Sequence, residues 1–174
     1  MTAQEIDQLI YNTALDNGYS NEAAKLITAQ ARLESADYTS NVFKQNNNMY
    51  GMKFVGQSYA TKGTLAPYQE RSAKCKSNFI CVNSDYYAKY QTPADSIKDT
   101  IIRLYSKNIQ GIIPGQLKAA KTAKEFAELL KQRGYFGITA AAYEKGLTAK
   151  LKKIQVKEIE TLPGVTVESK KKAV

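Results

Sequence analysis

A helix that carries a carboxylate on its own apolar face sets the first constraint on this chain. Residues 20–35 (SNEAAKLITAQARLES) have helical spacing, and the stripe runs Ala23, Ile27, Gln30, Ala31 and then Glu34. A fold that packs this stripe against a core carries Glu34 with it, in the last helical turn. Burial disfavours the ionised carboxylate, and so does the negative end of the helix dipole. Both effects raise a Glu pKa toward the range in which a general acid works near neutral pH. The same spacing also fits a solvated Glu on a fraying helix end, and periodicity does not separate the two.

Helix starts and stops punctuate the rest. Thr2 and Glu5 form a capping-box pattern, Ile6, Leu9, Ile10 and Ala14 an apolar stripe, and Gly18 a stop, which predicts a helix over residues 2–17. An Asn-rich stretch leads to Gly51. Residues 52–90 lose the helical period and gain Tyr, Val, Thr, Gly and Lys, the pattern of short antiparallel strands with loops. Thr92, Pro93 and Asp95 suit N-cap, N1 and N3 of a helix with stripe Ile97, Ile101, Leu104 and Tyr105. Gly111, Pro114 and Gly115 break the chain. A capping box at Thr122 and Glu125 opens a helix that buries Phe126, Leu129 and Leu130 and stops at Gly134, and a last helix holds Tyr143, Leu147, Leu151 and Ile154. Residues 161–174 have a Pro-Gly turn and a Lys triplet but no stripe, and read as a polar basic tail after a domain of residues 1–160. The expected architecture is mainly α, with two lobes, a small β-hairpin region between helices, and a cleft that accepts an extended polymer.

Composition excludes several chemistries. There is no histidine, so Ser-His and Cys-His nucleophile pairs and His-based metal sites are ruled out, and acid–base work falls to carboxylates, Tyr or Lys. Cys75 and Cys81 form no metal-binding spacing; they are either a disulfide across a hairpin in an oxidising setting or two reduced thiols. No metal or cofactor is expected. Net charge is +9, but residues 1–41 hold two basic and six acidic side chains, leaving +13 on the remainder. A basic surface attracts nucleic acid, anionic lipid or the acidic groups of bacterial walls, or simply keeps the protein solvated. The absence of zinc-finger spacing, an RNP-like sequence and a Gly-rich phosphate loop argues against nucleic acid. No apolar run is long enough to span a membrane, so no membrane insertion is expected. The N-terminus MTAQEIDQ has neither a basic n-region nor an apolar h-region of a Sec signal.

Several short motifs in fixed order add to this. AQARLES at 29–35 is followed by NNNMYGMK at 46–53, YYAKY at 86–90, SIKD at 96–99, RGYFG at 133–137 and YEKGL at 143–147. Together they resemble the endo-β-N-acetylglucosaminidases of bacterial autolysins and flagellar cell-wall hydrolases, over residues 20–155. The resemblance implies a lysozyme-like fold and hydrolysis of the β-1,4 bond between N-acetylglucosamine and N-acetylmuramic acid in peptidoglycan, with Glu34 as the catalytic acid. It implies a cell-wall target, reached without a Sec signal by a phage particle, a holin-like pore, a specialised secretion system, or a leader absent from this sequence. Met49 and Tyr50 replace the family's commoner Leu and Phe. Ile138 and Thr139 stand where relatives often have an acid.

Glycosidic cleavage takes a proton donor and a second group at the anomeric carbon. The resembled family often has a further acid in its β region. Glu70 in PYQER is the one Glu between Glu34 and Glu125, and is the choice for a base that activates water from about 6.5–9.5 Å across the sugar. It equally fits a surface Glu paired with Arg71 or a Lys. Alternatively, the substrate's 2-acetamido group attacks, and Tyr135 of the G-Y segment positions it. Asn47, Asn48, Tyr50, Gly51 and Tyr90 are the candidate substrate contacts. The competing functions are a muramidase or lytic transglycosylase of the same fold, and a non-catalytic glycan-binding or virion structural protein.

Overall fold

The computed structural model describes residues 1–101 and 114–158. Helix α1 (Ala3–Asp16) starts where Thr2 Oγ1 accepts the Glu5 N–H at 3.2 Å and the Glu5 carboxylate accepts the Thr2 N–H at 2.7 Å, the expected reciprocal cap. It buries Ile6, Asp7, Ile10, Tyr11 and Ala14. Helix α2 (Asn21–Glu34), capped by Ser20, buries Ala23, Ala24 and every residue from Leu26 to Arg32. Its small side chains at 23, 24, 29 and 31 let several other helices close on it. Helices α6 (Pro114–Ala119), α7 (Ala123–Gln132) and α8 (Ala140–Leu151) all touch α2, as does α1. The α8 contact is tight: a Cβ on Gly146 would stand 3.1 Å from Leu33 Cδ1.

The chain leaves α2 through an unusual turn. Ala36, Asp37 and Tyr38 have φ of 51°, 54° and 67°. Left-handed backbone costs a non-glycine residue about 1–2 kcal/mol, so the turn needs outside support. Arg32 Nε and Nη2 donate to the buried Asp7 carboxylate at 2.9 and 2.7 Å, Tyr38 Oη donates to Asp7 Oδ1 at 2.7 Å, and Lys150 and Lys153 of the α8 end reach Asp37 at 2.8 and 3.0 Å. These contacts tie α1, α2 and α8 together directly behind Glu34.

Helix α3 (Asn41–Asn46) leads into the β region. Strands β1 (Ala60–Leu65) and β2 (Tyr86–Tyr90) pair antiparallel, with Ala60 opposite Tyr90 and Lys62 opposite Ala88, and Lys53 bridges Tyr87. The segment between them holds a helix, α4 (Ala73–Asn78), capped by Ser72. Cys75 and Cys81 are disulfide-bonded, but not across a hairpin: one lies in α4 and the other in the loop that follows. The Ser72 cap starts a helical turn where the residue mix alone suggested strand.

Helix α5 (Pro93–Thr100) has the predicted Thr92–Asp95 capping box and packs beside β2 and α1. Leu104 and Tyr105 of its expected stripe, the break expected at Gly111, and the tail 161–174 lie outside the described residues. Pro114 and Gly115, read as a break, instead open α6, where Pro suits the first turn. In α7 the Glu125 carboxylate accepts the Lys121 N–H at 2.9 Å, one residue before the Thr122 cap, so the box is not the one expected. Helix α8 is capped by Thr139 and ends before Ile154, which still packs on the core. That core is built on Ile10, Tyr11, Ile27, Met49, Ile97, Ile101, Leu117, Phe126 and Leu130. The fold is mainly helical with a two-stranded sheet, and among the described residues no helix is long and apolar enough to cross a membrane.

Candidate active site

A cleft of about 400 Å³ separates the helical body from the β region. Glu34, Tyr50, Gly51, Lys53, Glu70 and Tyr135 are among its lining residues, with Met52, Tyr87 and Phe136 beside them. Glu34 is the last residue of α2, so the helix that organises the core delivers it to the cleft. Its stripe-mates Ala23, Ile27, Gln30 and Ala31 are fully buried, whereas Glu34 itself is exposed: the helix ends at this residue, so the stripe does not carry it into the core. It stands in the cleft wall instead. Desolvation by the surrounding wall raises its pKa above the usual Glu value, partly opposed by Tyr143, whose Oη donates to Glu34 Oε1 at 2.6 Å. Tyr143 comes from α8 and is held in place by ring contacts, stacked on Phe136 at 4.0 Å and edge-on to Tyr135 at 6.4 Å.

Glu70 stands in the opposite electrostatic setting. It ends a short 3₁₀ turn, Tyr68–Glu70. Its Oε2 accepts from Lys53 Nζ at 2.5 Å and from Tyr87 Oη at 3.0 Å. The Lys53 hydrogen bond is the main reason its pKa lies below the usual value. Lys53 Nζ also sits 4.0 Å from the centre of the Tyr87 ring, and the Tyr87 hydroxyl is pushed up to about 12, first by burial and then by Glu70. The ion pair foreseen as a bland alternative for Glu70 therefore exists, with Lys53 rather than Arg71, and it lies in the cleft wall.

Tyr135 lines the cleft, and its hydroxyl donates to the Tyr50 backbone carbonyl at 3.3 Å. Burial first, and then the Glu34 charge, raise its pKa well above the ordinary tyrosine value. Gly51, at φ 64°, permits the turn that swings Met52 and Lys53 toward Glu70. Tyr50 is 3% exposed, so it offers the cleft little open ring surface.

Asn47, Asn48 and Tyr90 are not brought to the cleft. Asn48 is buried, and its amide donates to the Met52 and Ala88 carbonyls at 2.8 and 2.9 Å while accepting the Met52 N–H at 3.0 Å. Asn47, in left-handed backbone, donates to the Tyr90 and Gln91 carbonyls at 3.1 Å. These amides staple the loop to β2, which leaves them unsuited to bind an N-acetyl group. Tyr90 Oη donates to buried Asp99 at 2.6 Å. Tyr87, three residues away on the same strand and so on the opposite face, is the tyrosine that reaches the cleft. Lys53, Tyr87 and Phe136 were missed as site residues, although each lies within or beside a motif already singled out. Tyr143, a core position of the last helix and the first residue of the YEKGL motif, is not among the expected site residues, yet it reaches Glu34.

The Glucosaminidase model, described as mannosyl-glycoprotein endo-beta-N-acetylglucosaminidase, matches residues 13–156. Among solved structures, the catalytic domain of the autolysin Auto from Listeria monocytogenes is similar at 21% identity, with a TM-score of 0.57 over 87% of this chain and 81% of that one. A chain of a type VI secretion system effector–immunity complex from Pseudomonas protegens is similar at 12% identity and a TM-score of 0.57, over 87% of this chain and 93% of that one. At these identities the two structures speak for the fold. Comparison with curated protein sequences gives no match.

Proposed function

Because the chain belongs to the glucosaminidase family, we propose that it is a peptidoglycan hydrolase that cleaves the β-1,4 bond on the reducing side of N-acetylglucosamine. The observation that carries this reading is a pair of carboxyl groups lining one cleft with pKa values moved in opposite directions, Glu34 up and Glu70 down. Such a split is how a site assigns one acid and one base.

Glu34 is the proton donor. Tyr143 donates to its Oε1, so the acid proton belongs on Oε2 and passes from there to the leaving glycosidic oxygen. Glu70, kept ionised by Lys53, takes a proton from a water that attacks the anomeric carbon from the other side of the sugar, and the product is inverted. Both steps use carboxylates alone, in keeping with a chain that has no histidine. Tyr135 lines the same cleft and supports a second reading, in which its hydroxyl orients the substrate's 2-acetamido group as an internal nucleophile and Glu70 only shapes the wall.

The test is digestion of purified peptidoglycan by wild type and Glu34→Gln, followed by reduction and mass spectrometry of the new termini. Reducing-end N-acetylglucosamine from the wild type alone supports the proposal. Reducing-end or anhydro N-acetylmuramic acid would make the protein a muramidase or a lytic transglycosylase. An absence of new ends would point to a glycan-binding or structural role.

A further inference from the structure

The β region presents an apolar tip that the cleft does not use. Among the described residues nine large apolar side chains are conspicuously exposed, and seven of them lie between Val55 and Val82. Phe79, at 84%, is the most exposed, with Ile80 at 55% and Val82 at 47% next to it. Phe79 also has φ 58°, a backbone state that a bulky side chain adopts only under constraint. Phe79 takes it as the left-handed C-cap that ends α4. Cys75 and Cys81 close the loop that carries Phe79 and Ile80, and buried Asp85 fastens both of its ends, accepting from Ser72 Oγ at 2.9 Å and from the Val82 N–H at 2.8 Å. Folding gains almost nothing from a phenyl ring held out in water in a disfavoured conformation. A partner would.

Charge identifies the partner. Residues 38–94 contain seven Lys and Arg against two acids, Glu70 and Asp85. Glu70 is paired with Lys53, and Asp85 is buried and taken by Ser72 and Val82. Arg71 interacts with the charge of Asp85, while Lys74 and Lys76 flank the tip and form no ion pair among the described residues. A second copy pairing through the same patch would set these cations against their own counterparts. An acidic wall polymer would meet the charge but has no need of a bare Phe79. An anionic lipid bilayer meets both, taking apolar side chains into its interface and Lys and Arg at its phosphates.

We propose that the disulfide-closed tip around Phe79, Ile80 and Val82 is a peripheral docking site for an anionic membrane surface. It holds the enzyme at the membrane face while leaving the cleft free. The proposal does not depend on which glycosidic bond is cut.

Co-sedimentation with phosphatidylglycerol-containing vesicles and with phosphatidylcholine vesicles tests it, with wild type, Phe79→Ser/Ile80→Ser and Lys74→Glu. Unchanged thermal melting of the variants serves as the folding control. Wild type is expected to bind the anionic vesicles and to release as salt is raised. The double serine variant is expected to lose on the order of tenfold in partitioning, and Lys74→Glu on the order of fivefold or more. Failure of the wild type to bind, equal binding to both vesicle types, or anionic binding unaffected by all of these substitutions would overturn it. So would a concentration-dependent dimer that the serine variant abolishes.

Discussion

Glu34 and Glu70 are separated less by sequence than by what donates to them. One is crowded by protein and bonded by a neutral tyrosine; the other is bonded by an ammonium. Under the proposed roles, activity needs Glu34 protonated and Glu70 ionised. The pH profile is then a bell whose acid limb follows Glu70 and whose alkaline limb follows Glu34. Removing the Tyr143 hydroxyl removes an interaction that lowers the Glu34 pKa, so Tyr143→Phe should move the alkaline limb to higher pH. Lys53→Met removes the main cause of the low Glu70 pKa, so the acid limb should move up in pH and the bell should narrow from that side. Measured kcat/KM against pH for the two variants checks both signs, and a limb that moves the other way would remove that residue from its role. Tyr143 shows why such a contact escapes sequence reading. Its helical spacing marks it as core, which it is, but only the approach of α8 to α2 at Gly146 puts its hydroxyl on Glu34.

At the scale of elements, the loop from Asn46 to Lys53 does most to shape the cleft. Asn48 reinforces the pairing of this loop with β2, bonding both backbone groups of Met52 and the Ala88 carbonyl, while the Ala88 N–H donates to the Met52 carbonyl. Asn48→Ala leaves the Met52 N–H without its acceptor and removes a donor from the Ala88 carbonyl, while the Met52 carbonyl keeps the Ala88 N–H at 2.9 Å; it should cost about 1–3 kcal/mol, read from the midpoint of urea unfolding. It should also depress activity, because Gly51, Met52 and Lys53 are positioned through it. A change near zero in both would mean that the loop is held by other contacts. Asn-rich composition signals a loop with local hydrogen bonding, but it does not say whether an amide faces substrate or backbone. That is why Asn47 and Asn48 read as ligand contacts in the sequence and are staples in the structure. The disulfide segment failed differently. A β-rich composition hid the Ser72 cap, and with it helix α4.

Across the whole molecule, the longer helices α1, α2, α5, α7 and α8 and the small β region were legible because each rests on local chemistry that neighbouring residues carry themselves, as at the caps Thr2 and Thr92, whereas the six-residue helices α3, α4 and α6 were not. The stripe of α2 marks the helix face that holds Glu34, but not that Glu34 is exposed in a cleft wall. What could not be read were side-chain contacts between separate segments of one lobe: the pairing of Lys53 with Glu70 and the choice of Tyr87 over Tyr90 in the β region, and the seating of Phe136 on Tyr143 in the helical body. Each depends on how neighbouring segments pack, which no local period encodes. The meeting of the two lobes underlies the central claim, that Glu34 and Glu70 act as one acid–base pair. The most direct measurement is the anomeric configuration of the newly released reducing end, followed by proton NMR during hydrolysis by wild type, Glu34→Gln and Glu70→Gln. The pair predicts that wild type first releases the α-anomer and that each substitution lowers kcat by about 100-fold or more. Initial release of the β-anomer, with Glu70→Gln still active, would contradict it and transfer the second role to the substrate's acetamido group beside Tyr135.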